Sequence, residues 1–83
     1  MKYFIFNTAK GKRFYTEVYG FIVGNSIPAN IEIFQSFLQV KFERNFMVDN
    51  DILCAIMNFA RRYDMLIEMY ACCDCILMHF SID

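Results

Sequence analysis

Hydrophobic and polar positions change period several times along this chain, and the changes divide it into segments. Residues 2–7, KYFIFN, set Phe4 and Phe6 against Tyr3 and Ile5, a short aromatic and β-branched run that predicts a strand with both faces partly covered. TAKGK reads as a turn, with Gly11 able to take a positive φ. RFYTEVYGFIVG then alternates Phe14, Thr16, Val18 and Ile22 with Tyr15, Glu17, Tyr19 and Phe21, so the first two segments predict a β-hairpin. Gly20, Asn25, Ser26 and Pro28 mark the next boundary.

Beyond it, NSIPANIEIFQSFLQVKFERNF carries a polar line at Glu32, Gln35, Ser36, Gln39 and Glu43, opposite Ile27, Ile31, Phe34, Phe37, Leu38 and Phe42. That spacing predicts a helix with Ser26 as N-cap and Pro28 in its first turn, where a missing N–H is no loss. A strand competes with it over residues 36–43, because LQVKFE alternates perfectly and Lys41 falls on the apolar side of a helix. VDNDILCAIMNFARRY predicts the clearest helix. Asp49 caps it, Asp51 in the first turn and Arg61 and Arg62 in the last complement the dipole, and Ile52, Ile56, Phe59, Ala60 and Tyr63 form its apolar face. The closing MLIEMYACCDCILMHFSID lacks a helical stripe and predicts one or two strands, with helix continuing to Tyr70 as the alternative over 65–71.

The expected architecture is therefore a single α+β domain over residues 1–83. It would comprise a small antiparallel sheet, built from a β-hairpin and a C-terminal strand or hairpin, with two helices on one face and the other face open.

Composition sharpens this picture at the surface. Ten Phe, five Tyr and six Met in 83 residues exceed what so small a core hides, so an exposed aromatic patch meeting another chain is expected. The stripe Phe34, Phe37, Leu38 and Phe42 is assigned to the core, and the hairpin supplies the contact candidates: Lys12, Arg13, Tyr15, Tyr19 and Phe21. The formal charge of −1 conceals a gradient: residues 1–16 hold Lys2, Lys10, Lys12 and Arg13 with no acid, while residues 45–83 hold six acids against Arg61 and Arg62. Such a dipole steers a charged partner or a second copy, but it is not the basic balance of a dedicated nucleic-acid binder. No apolar run approaches the roughly 18 residues of a membrane span, and the N-terminal run is too short for a signal-peptide core, so a cytoplasmic location is expected.

The cysteines are the obvious place to look for chemistry. Cys72 and Cys75 have x₂ spacing and His79 follows, so Cys54, Cys72, Cys75 and His79 can be assembled as a metal or thiol site. On an extended strand, however, Cys73, Cys75 and His79 share one side and Cys72 the other, so convergence requires a turn at Cys73 and Asp74. Thiols as small core residues are the favoured reading. His79 is the only base for a Cys or Ser nucleophile, and no GxSxG elbow, phosphate loop, HExxH or paired carboxylates accompany it, so neither an enzyme nor a cofactor is expected. DND at 49–51 lacks the glycine and distal glutamate of a calcium loop. KGKR and Arg61-Arg62, beside Phe14, Tyr15 and Tyr19, offer a weak phosphate-and-base surface that is read as a solvated turn and favourable helix-end charges.

A small mixed α and β chain, rich in aromatics, with a charge gradient and no catalytic motif, resembles in general character the compact inhibitors that phages and other mobile elements direct against host defence, anti-CRISPR proteins among them. The resemblance implies a rigid surface that occludes a site on a larger protein or nucleoprotein. The expected function is accordingly that of a protein-binding module, an inhibitor or adaptor for which a homodimer is one expected form. The alternatives are a small Cys/His metal or thiol protein and weak nucleic-acid binding through the basic turn.

Overall fold

The computed structural model describes residues 8–72 and 75–82, so the strand expected over residues 2–7 lies outside the described residues. The elements are α1 (Ala9–Gly24), β1 (Ala29–Ile33), β2 (Leu38–Phe42), α2 (Asn50–Arg62), β3 (Leu66–Cys72) and β4 (Cys75–Ser81). The four strands form one antiparallel sheet in the order β1-β2-β4-β3. Both helices feed one core with the same sheet face: Phe14, Val18 and Ile22 from α1, Ile56 and Ala60 from α2, Leu38, Val40 and Phe42 from β2, and Met78 and Phe80 from β4. The α+β class, with helices on one side of a small antiparallel sheet, is thus as expected. Two middle segments have exchanged roles.

The segment read as the hairpin's second strand is α1. Thr8 is its N-cap, its hydroxyl oxygen accepting from Gly11 N–H at 2.8 Å, so TAKGK begins a helix and makes no hairpin turn. Gly11, Phe14, Val18 and Ile22 form one buried stripe at helical spacing, and the positions that a strand would add to that face, Thr16 and Gly20, are exposed. Conversely, the segment read as a helix is the β1-β2 hairpin. Leu38, Val40 and Phe42 are fully buried in alternation with Gln39 and Lys41, which resolves the conflict at LQVKFE in favour of the strand. Ser26 is no N-cap: it follows α1 at φ 52° and its N–H donates to Val23 O. Pro28 precedes β1 and gives its carbonyl to Glu43 N–H at 2.8 Å.

The second half follows its pattern. Asp49 caps α2 through Ile52 N–H at 2.9 Å, with Asp51 in the first turn and Arg61 and Arg62 in the last. Ile56 and Ala60 are fully buried, Ile52, Phe59 and Tyr63 pack at the margin, and Asp51, Asn58, Arg61 and Arg62 face water. The closing segment takes the two-strand form, β3 and β4 pairing from Leu66↔Ser81 to Cys72↔Cys75. Of the stripe assigned to the core, Leu38 and Phe42 are buried, whereas Phe34 and Phe37 stack on each other, centroids 4.6 Å apart, at the end of the β1-β2 hairpin.

Among the described residues no helix is long and apolar enough to cross a membrane.

Candidate functional site

Because strand side chains alternate, every inward residue of the core implies an outward neighbour on the uncovered face. Register sets these outward residues in rows. Glu32, Gln39, His79 and Glu68 form one row from β1 through β2 and β4 to β3, and Asn30, Lys41, Leu77 and Tyr70 form the next. Leu66 and Tyr70 are among the large apolar side chains left exposed.

At the middle of this face an aromatic cluster is centred on His79. Its ring lies between those of Phe37, 4.5 Å away and inclined 32°, and Tyr70, 4.9 Å away and inclined 55°. Its Nε2 is 2.9 Å from Gln39 Oε1. A carbonyl oxygen can only accept, so with the amide in this orientation Nε2 donates, and Nδ1 of the neutral ring is an acceptor. Tyr70 donates its hydroxyl to Glu68 Oε2 at 3.0 Å. That bond to a carboxylate, followed by partial desolvation and the Glu68 charge, raises the phenol pKa above its ordinary value of 10.0. A concavity of about 450 Å³ opens over the cluster, lined by Ser36, Phe37, Glu68, Tyr70, His79, Ser81 and Ile82. Ring faces, a carboxylate and three hydroxyls around one hollow suit an apolar or aromatic side chain that also brings a hydrogen-bond donor.

The contact residues expected from the sequence lie on α1, on the opposite side of the sheet, and they do not form one patch. Tyr15 and Tyr19 pair at 5.7 Å beside β1, where with Ile22, Val23 and residues 29–31 they line a groove of about 230 Å³. Phe21 turns towards α2 and packs edge-on against Phe59 at 5.7 Å. Lys12 and Arg13 are exposed and border a third hollow with Thr16, Glu17 and Tyr63. There Glu17 accepts from Arg62, and the Glu17 hydrogen bond, burial and the Glu17 charge raise the Tyr63 phenol, with Arg62 opposing. Phe14, a proposed base-stacking residue, is wholly buried, and Arg62 is engaged by Glu17 and by the Phe59 ring at 5.8 Å.

Among the described residues Cys54, Cys75 and His79 do not come together. Cys75 and His79 are four residues apart on one strand, about 13 Å at ~3.3 Å per residue, and Cys54 is exposed on α2, across the sheet from His79. Cys72 is the backbone partner of Cys75, and the expected turn at Cys73 and Asp74 lies outside the described residues. Among the described residues, no three His, Cys, Asp or Glu side chains gather as a metal site.

From the sequence, Phe37 is expected in the core and Gln39 on the polar side of a helix, and Glu68 and Tyr70 have no expected role in a site. The alternation of LQVKF and of CILMHFS carried the signal: each sets its polar residues, Gln39 and His79, on the face away from the core. The chain matches no protein-family model, and it matches no curated protein.

Proposed function

We propose that this chain is a protein-binding module whose contact surface is the open face of the sheet. One observation carries the reading. A sheet that the described helices cover on one side presents, on the other, a ring cluster of Phe37, His79 and Tyr70 around a hollow, His79 held by Gln39 and Tyr70 by Glu68, with Leu66 and Leu77 beside it and Glu32, Lys41 and Glu68 as charges. Aromatic rings already held by neighbours lose little rotamer entropy on contact, which is the property of interface anchors. The partner is a protein whose surface offers a protruding apolar or aromatic side chain to the hollow, with a donor reaching Glu68. Action by occlusion, the inhibitor or adaptor role of the phage-encoded proteins that the chain resembles in general character, needs no catalytic group of its own. The test is the double variant Phe37→Ala/Tyr70→Ala. It should keep the far-ultraviolet spectrum of the parent and lose the partner that the parent retains from lysate of its native cell. Undiminished retention by the folded double variant rules the surface out.

A further inference from the structure

We infer that the edge of β1 that no other described strand pairs is an interface with a second copy of this chain, joining two sheets across a two-fold axis. The inference goes beyond the binding face proposed above and does not depend on it.

The ladder settles which way the β1 backbone points. Glu43 N–H bonds Pro28 O, and Phe34 N–H bonds Phe37 O, both at 2.8 Å. Both pairs share the β1-β2 register, so hydrogen-bonded positions recur every second residue, at Asn30/Lys41 and Glu32/Gln39. Ile31 and Ile33 therefore aim both N–H and C=O away from β2, and Ala29 aims its C=O the same way while its N–H is taken by Ile27 O at 2.9 Å. An edge of this kind, in a five-residue strand with one charge and no proline, is a template for another strand.

The sequence of β1 selects its own reverse as that strand. Cross-strand neighbours share a face, so only registers that keep the isoleucines inward are compatible with both cores. Antiparallel pairing centred on Ile31 sets Ile31 against the partner's Ile31 and Ala29 against the partner's Ile33. It also matches the outward groups: Ile31 N–H meets the partner's Ile31 C=O, and Ile33 N–H meets the partner's Ala29 C=O, each twice by symmetry. On the open face this register puts each Glu32 opposite the partner's Asn30, an amide that can donate to it. Sliding by two residues in one direction would oppose the two Glu32 carboxylates, and in the other would bring Pro28 into the ladder. The helix side agrees. Tyr19 and Val23, 51% and 58% exposed, stand with Tyr15 and Ile22 along the groove beside β1, where the two-fold axis would bring them against the same residues of the partner.

Asn30→Glu tests the register. Within one chain the new carboxylate would face Lys41, its partner on β2, so the fold gains a favourable neighbour. Across the axis it would face Glu32 twice, and two opposed like-charge pairs should weaken the dimer about tenfold. Adding Glu32→Lys to Asn30→Glu re-pairs opposite charges and should restore it. The readout is sedimentation equilibrium of the full chain from micromolar to millimolar concentration. The expected result is a species of twice the 9.9 kDa chain mass, weakened by the single and rescued by the double substitution. A monomer throughout overturns the interface, and a dimer indifferent to both substitutions overturns its location on β1.

Discussion

Replacing Phe14 with alanine discriminates between a helix that plugs the core and a half-exposed hairpin strand. Phe14 is fully buried, with the Phe80 ring 5.0 Å away and the Tyr63 ring 6.5 Å away, so its removal leaves a void among three elements. Phe-to-Ala changes at such sites cost about 3–5 kcal/mol. At roughly 0.05–0.15 kcal/mol per residue, an 83-residue domain has about 4–12 kcal/mol in total, so the variant keeps a fraction of its stability or loses its fold. Phe14→Leu retains most of the volume and should cost under ~1.5 kcal/mol, which keeps the comparison measurable. Tyr19→Ala, at an exposed position five residues along the same helix, should stay within about 0.5 kcal/mol. Urea unfolding followed by circular dichroism reads all three as shifts in midpoint at constant slope. A Phe14→Ala protein within about 1 kcal/mol of the parent would refute the buried placement.

Two other outcomes follow from single hydrogen bonds. Asp49→Ala removes the acceptor of Ile52 N–H and should cost about 1 kcal/mol, lowering the melting temperature by roughly 4–8 °C in a domain of this size; an unchanged melting curve would mean that α2 starts elsewhere. For Tyr70, the raised phenol pKa means that the folded state holds the proton more tightly than the unfolded chain. Its contribution to stability is complete below pH 10 and is lost as pH rises through the folded value. Absorbance titration at alkaline pH should lose one late-titrating tyrosine in Tyr70→Phe, and loss of an ordinary one would contradict the Glu68 bond.

What could be read from the residues alone depended on whether the apolar spacing was ambiguous. In α2 the pattern, cap and end charges agree, and the helix, its cap and its buried face are all as the sequence predicts. In the first half, Phe14, Val18 and Ile22 are four apart, and so are Phe34, Leu38 and Phe42. A spacing of four satisfies the strand period of 2 and nearly satisfies the helix period of 3.6, so both segments admit either reading. The intermediate positions decide. Thr16 and Gly20 fill them in α1 and are exposed, so period 2 fails there; Val40 fills one in β2 and is fully buried, so period 2 holds. Aromatic and β-branched content pulled α1 towards a strand until tertiary burial outweighed propensity. The proposed binding face was less legible for another reason. His79 is conspicuous in the sequence, but its companions come from β2, β3 and a hairpin end, and only the sheet register brings Phe37, Gln39 and Tyr70 to it.

A photo-reactive phenylalanine analogue tests the central claim most directly when placed at position 70 on the open sheet face and, in a separate protein, at position 58 on the exposed side of α2. On irradiation in lysate of the native cell, the probe at 70 should form a discrete adduct that excess unlabelled parent protein suppresses, and the probe at 58 should form none. An equal adduct from position 58, or none from position 70, would contradict the assignment of the sheet face as the binding surface.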